Sequence, residues 1–153
     1  MLLLVVGQRQ PAWADAACAD FFKRFPPEWR FELKALKAEP RSGRTPAQCL
    51  AAEAQRFDAA LGRGWRRVVL DERGSRLTTQ DLAARLLAWQ ADGRDTALLI
   101  GGPDGLDPAI RQGADESLRL SDLTLPHALA RVLLAEALYR AWSVNAGHPY
   151  HRE

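Results

Sequence analysis

Thr96-Ala97-Leu98-Leu99-Ile100-Gly101-Gly102-Pro103-Asp104-Gly105 is the stretch on which the fold turns. An uncharged run of strand length that stops on glycines reads as a strand covered on both faces. Such strands belong to parallel sheets flanked by helices. The same reading extends outward. Leu2 to Val6 is a second unbroken apolar run, ending at Gly7, and Val68-Val69-Leu70 is a third, closed by Asp71. Phe31, Leu33 and Ala35 alternate with Glu32 and Lys34, as a half-covered strand does. Leu118 and Leu120 alternate as a last small strand.

Helical patterns fill the gaps. Over 11–25, Trp13, Ala17, Phe21 and Phe25 share one face, and Pro26-Pro27 stops the run. Thr45-Pro46-Ala47-Gln48 is a capping box with proline at the first helical position; Leu50, Ala54, Phe57 and Leu61 point inward. Thr78 and Asp81 open the next helix, which carries Leu82, Leu86 and Trp89 and closes at Gly93. A short helix is expected near 107–116, and the last from Pro126 to Trp142. The segment 38–45 reads as the one loose loop, with Arg41 and Arg44 on it. Strands alternating with helices predict a single α/β domain, 1–153, with a mostly parallel sheet.

The chain has 153 residues, 47% of them hydrophobic and 26% charged, which suits one globular domain with a real core. Its first apolar run, Met1 to Val6, is far short of the ~20 residues a bilayer span needs. It also lacks the basic flank and cleavage site of a signal peptide. Cys18 and Cys49 sit in helical patterns with no ligand-spaced partner, so both read as reduced core thiols of a cytoplasmic protein. The net charge is +2, and all but three of the 21 basic residues are arginine, the side chain suited to phosphates and base stacking. Three arginine clusters stand out: Arg41 with Arg44, Arg63 with Arg66 and Arg67, and Arg73 with Arg76.

Between Ala128 and Trp142 only Arg131, Glu136 and Arg140 are charged. A helix apolar nearly all round must be covered nearly all round. One small sheet covers one face, so the other predicts a homodimer; the alternative is a central helix buried by the monomer alone.

Three segments can carry chemistry. The glycine loop 101–105 follows a strand at the edge where α/β sheets bind ligands. It matches neither a P-loop nor G-x-G-x-x-G, and a plain tight turn reads it equally well. Leu120-Ser121-Asp122-Leu123-Thr124-Leu125-Pro126-His127 alternates apolar and small polar residues before a helix. Its backbone can read an adenine edge while its leucines cover the ring; the plain alternative is a strand-to-helix turn capped by Thr124 or Ser121. The tail His148-Pro149-Tyr150-His151-Arg152-Glu153 is rich in chemistry for a chain end. His148 and His151 have no third ligand in reach, so no metal is expected.

These segments, LLIGGPDGL (98–106), LSDLTLPH (120–127) and LYRAWSVNAGHPYHRE (138–153), with FFKRFP (21–26) more weakly, resemble the SPOUT methyltransferases along the whole chain. The nearest branch acts on a pseudouridine of large-subunit ribosomal RNA. Gln8-Arg9 stand where that branch often has lysine after the first strand. The resemblance implies a C-terminal trefoil knot, and S-adenosylmethionine held by Leu70, Gly101 and the stretch Ser121, Asp122, Leu123, Thr124, Leu125 and Pro126. It implies an obligate homodimer with one subunit's tail near the other's cofactor, and as substrate N3 of a pseudouridine in 23S rRNA within the assembled ribosome. Tyr150, His151 and Arg152 are then expected to position the base, Arg152 above all, with His127, His148 and His151 as candidate bases. A SPOUT enzyme for another RNA nucleotide and a non-catalytic ribosome-associated module are the alternatives.

Overall fold

The computed structural model describes residues 1–152; Glu153, the end of the tail, lies outside them. Five strands form one sheet in the order β2-β1-β4-β3-β5, every pairing parallel. They are β1 (Leu2–Val6), β2 (Glu32–Leu36), β3 (Arg66–Arg76), β4 (Thr96–Ile100) and β5 (Glu116–Arg119). The two apolar runs β1 and β4 pair with each other and are buried throughout. β2 alternates exposed and covered residues, as befits an edge.

The helices are α1 (Ala12–Lys23), α2 (Pro46–Ala60), α3 (Thr79–Asp92), α4 (Pro108–Gln112) and α5 (His127–Asn145). Both predicted capping boxes form: Thr45 with Gln48 opens α2, and Thr78 with Asp81 opens α3. Gly93 closes α3 in the left-handed conformation. Two cores result. Leu3, Val5, Leu98 and Ile100 face Leu86, Trp89, Leu134 and Leu138 of α3 and α5. On the other side Leu2, Leu4, Val69 and Leu99 face Phe57 of α2 and Ile110 of α4.

Four sequence expectations need correction. The inward face of α1 is Ala14 and Cys18; Trp13 is 51% exposed, Ala17 and Phe21 are half-buried, and Phe25 lies beyond the helix end in an aromatic cluster with Trp29, Phe31 and Tyr139. The aromatic residues had tilted the apparent apolar stripe. The helix near 107–116 is only α4, stopped at Gly113. The segment 38–45 is tied down: Glu39 is buried and pairs with Arg44 and Arg56, and Arg41 donates to Asp104 at 2.7 and 2.9 Å.

β3 does not stop at Asp71. Leu118 of β5 is the register partner of both Leu70 and Ser75. The chain between them lies tight on β5: a Cβ on Gly74 would sit 2.5 Å from the Leu118 carbonyl carbon. A side chain at position 74 would hold the two segments apart.

Candidate functional site

The carboxyl ends of β4 and β5 and the middle of β3 converge on an open cleft of about 250 Å³, just under the usual range for small-molecule sites. Six predicted cofactor residues line it: Leu70 from β3, and Ser121, Asp122, Leu123, Thr124 and Leu125 from the strand-to-helix loop. Ile100 and Leu118 add apolar wall. Gly101 and Pro126 border it without lining it. Gly101 is buried at the base of the glycine loop, where a Cβ would fall on the Gly105 carbonyl. That loop is a tight turn closed by the Gly105 N–H donating to the Gly102 carbonyl at 2.9 Å. Pro126 is the N-cap of α5 and carries no side-chain cap bond, so neither Thr124 nor Ser121 caps this helix. Ser121 instead accepts the Leu123 N–H at 2.9 Å, which holds the loop open and leaves Leu123 77% exposed. Asp122 pairs with Arg76 at 2.9 Å and Arg119 at 3.1 Å across the cleft mouth.

The resident of such a cleft must present apolar surface to leucines and polar edges to backbone. A nucleoside with an amino-acid arm fits that donor set. No group of three or more His, Cys, Asp or Glu that could hold a metal occurs among the described residues.

The four predicted catalytic residues are not brought together within one chain. His127 opens α5 beside the cleft loop. Its ring is partly buried, Nε2 has no hydrogen-bond partner, and burial together with the nearby Arg131 lowers its pKa to about 4. The imidazole is therefore neutral at pH 7 and weakly basic. The tail folds as a 3-10 turn, Pro149–Arg152, against the later turns of α5. Tyr150 donates to Glu136 at 3.1 Å, lies edge-on to Tyr139, and has the Arg140 guanidinium 4.8 Å over its ring. Burial, and then the Glu136 charge, raise the phenol's pKa, so it stays protonated. His151 Nδ1 lies 2.5 Å from the His148 carbonyl. Arg152 is exposed and makes no ion pair among the described residues. From His127 to Glu136 the helix rises by about 14 Å, at roughly 1.5 Å per residue.

Sequence reading missed Glu136 as the anchor of Tyr150, and Arg131, which is 1% exposed. The available signal was an isolated charge in an otherwise apolar helix. The arginine clusters are largely neutralised: Arg41 by Asp104, Arg44 by Glu39, Arg66 by Asp92 and Glu116, Arg67 by Asp58, Arg76 by Asp122. Arg63 is exposed, with no ion pair among the described residues.

Residues 1–151 match the family described as "Predicted SPOUT methyltransferase". The chain belongs to the SPOUT methyltransferases. Curated relatives agree over their full length. It is 73% identical to "Ribosomal RNA large subunit methyltransferase H" of Methylibium petroleiphilum, covering 100% of this chain and 99% of the relative. Proteins of the same name from Leptothrix cholodnii and Verminephrobacter eiseniae are 66% and 65% identical over the same shares. As a SPOUT member the chain is a methyltransferase on a five-stranded parallel α/β fold. No helix among the described residues is long and apolar enough to cross a membrane.

Proposed function

We propose that this methyltransferase transfers the methyl of S-adenosylmethionine to N3 of a pseudouridine in 23S rRNA, on assembled ribosomes, as a cytoplasmic homodimer. The carrying observation is full-length likeness, 73% identity across 99% of a relative named for ribosomal RNA large subunit methylation. The cleft supports the cofactor: Leu70, the glycine loop at Gly101 and the Ser121–Pro126 loop would hold it. S-adenosylmethionine, when bound, supplies a methyl already activated on a sulfonium. The protein's task is therefore alignment of the acceptor nitrogen, the proximity contribution.

The tail does this work in the reading. Arg152 holds a phosphate or balances charge on the base's carbonyl oxygens, and Tyr150 and His151 position the ring. His127 stays neutral beside the cleft loop, and its low basicity makes it a poor proton acceptor, which leaves His148 and His151 as the candidate bases. The tail docks on the later turns of its own α5, which supports a second copy supplying it to the cleft. The exposed Leu129 and Leu133 of α5 support that dimer. The trefoil knot comes with membership of the SPOUT family.

The test is methyl incorporation from labelled S-adenosylmethionine into ribosomes lacking this modification. Up to one methyl per ribosome, at N3 of the pseudouridine, is expected. Labelling at a different nucleotide would reassign the substrate. No labelling by folded, cofactor-binding protein would favour a non-catalytic ribosome-associated module.

A further inference from the structure

Arg131 is the largest fully buried side chain in the protein. It stands on the second turn of α5, and its Nη2 donates to the Gly7 carbonyl at 2.5 Å and lies 3.5 Å from the Val6 carbonyl. Its Nε is buried without a partner. No carboxylate lies within ion-pair distance among the described residues. Asp15 attracts it through space without forming an ion pair. A buried cation hydrogen-bonded, among the described residues, to carbonyls alone is costly, and an apolar residue of similar size would commonly serve stability better.

What the guanidinium grips accounts for its presence. Val6 and Gly7 form the carboxyl end of β1, and the Gly7 N–H is itself fixed to the Leu36 carbonyl of β2 at 2.8 Å. Val6 also backs the glycine loop: a Cβ on Gly102 would meet Val6 Cγ1 at 3.1 Å. At its other end Arg131 belongs to the helix that begins directly after Ser121–Pro126. Both loops of the cleft are therefore referenced to one point on the sheet edge.

Resting on the methyltransferase reading above, we infer that Arg131 is a positioning residue of the cofactor cleft, setting the Ser121–Pro126 loop against the glycine loop through the Val6 and Gly7 carbonyls. It touches no reacting atom. Its loss therefore weakens cofactor binding more than it slows transfer at saturation.

The experiment is calorimetric titration of the full-length protein with S-adenosylmethionine, alongside steady-state methyl transfer to ribosomes and thermal unfolding. Arg131→Met is expected to stay folded, to bind S-adenosylmethionine at least tenfold more weakly, and to raise KM for it while kcat at saturation moves less than threefold. Arg131→Lys, which keeps a cation and a donor, is expected to bind within threefold of wild type. If Arg131→Met does not fold, Arg131→Gln replaces it. That side chain ends where Nε lies, short of Gly7, and the same tenfold loss is expected. A folded Met or Gln variant with wild-type affinity overturns the inference, as do Lys and Met variants weakened equally. Absence of binding by the wild type would instead strike the methyltransferase reading itself, and this inference with it.

Discussion

Tyr150 donates its hydroxyl to Glu136 Oε1, the same oxygen that Arg140 reaches at 2.7 and 2.8 Å. One carboxylate on α5 thus fixes both the phenol of the tail and the guanidinium that covers its ring. Tyr150→Phe removes one partner and leaves Glu136 paired with Arg140. The expected cost is about 1 kcal/mol, a fall in Tm of roughly 2–4 °C for a domain of this size. Methyl transfer should fall further than stability does, with S-adenosylmethionine affinity unchanged. Calorimetry and single-turnover transfer on the same sample separate the two effects. Full transfer with a lowered Tm would leave the bond a purely structural one.

Arg152 is the counterpart with no ion pair among the described residues. Arg152→Ala should leave Tm and cofactor affinity at wild-type values and reduce methyl transfer at saturating ribosome by on the order of a hundredfold, the size of one lost electrostatic contact in the transition state. Undiminished transfer would remove Arg152 from the site.

The glycine loop separates crowding from strain. At Gly101 a Cβ would collide with the Gly105 carbonyl, within the loop's own backbone. Gly101→Ala should therefore open the turn, cost roughly 3 kcal/mol, and abolish cofactor binding. Gly105 has φ +83° and open space around it. Gly105→Ala should cost only about 1–2 kcal/mol, the left-handed penalty, and keep most of the binding. Chemical denaturation and calorimetry on both variants check this contrast; equal losses would mean that Gly101 matters for conformation alone.

The frame was legible because local signals agreed with tertiary demands. Leu98-Leu99-Ile100 and Leu2–Val6 are buried on both faces, and only central parallel strands need that. Thr45 and Thr78 cap because their box partners Gln48 and Asp81 sit three residues on. Ser121 to Leu125 line the cleft because they follow the end of β5, where topology puts ligands, and Leu70 joins them from the middle of β3. What stayed hidden depends on long-range placement. Continuation of β3 past Asp71 is decided by Leu118, 47 residues away. Trp13 shares the helical spacing of Phe21, yet α1 turns Ala14 and Cys18 inward because Phe25 is gathered by Tyr139 and Trp142 instead. Arg131 was visible as one of three charges in an apolar helix, but its partner, the Gly7 carbonyl, lies 124 residues away and has no local signal. The tail's residues were identifiable by resemblance, but nothing local reveals that Glu136 receives Tyr150.

His127 gives stability a pH dependence of defined sign. Its folded pKa is about 4, against about 6.5 in the unfolded chain, because burial and the Arg131 charge both disfavour the imidazolium. The unfolded state therefore takes up the proton first as pH falls. The stabilisation is full above pH 6.5 and is lost between about 6.5 and 4. Discounted for partial exposure, it is on the order of 1–2 kcal/mol. Asp81, Asp92 and Asp115 are shifted below the usual carboxylate range by hydrogen bonds to Thr78, to Arg94 and to the Arg67 backbone, respectively, so their loss comes at lower pH. His127→Gln should flatten the denaturation midpoint between pH 6.5 and 4 and leave the more acidic fall intact. An unchanged slope in that variant would place the titrating group elsewhere.

Leu129 and Leu133 stand one turn apart on α5 with 41% and 42% of their surface exposed, while Leu134 and Leu138 are buried against the sheet. Two leucines in one stripe on a helix of this composition fit the second copy proposed above, which would bring its tail to the cleft. A Leu129→Glu, Leu133→Glu double variant should sediment as a monomer with its helical signal retained, since neither side chain enters the core. Each cleft would then lack a neighbour's Arg152, and methyl transfer should fall at least as far as in Arg152→Ala. Mixing the charged double variant with an Arg152→Ala protein should not restore activity, because the charged face refuses the partner. Two chains with intact faces, one carrying Arg152→Ala and the other Gly101→Ala, should recover part of it: the heterodimer holds one sound cleft facing one sound tail. Full transfer by the monomeric variant would overturn the dimer reading, and the active site would then have to close within a single chain.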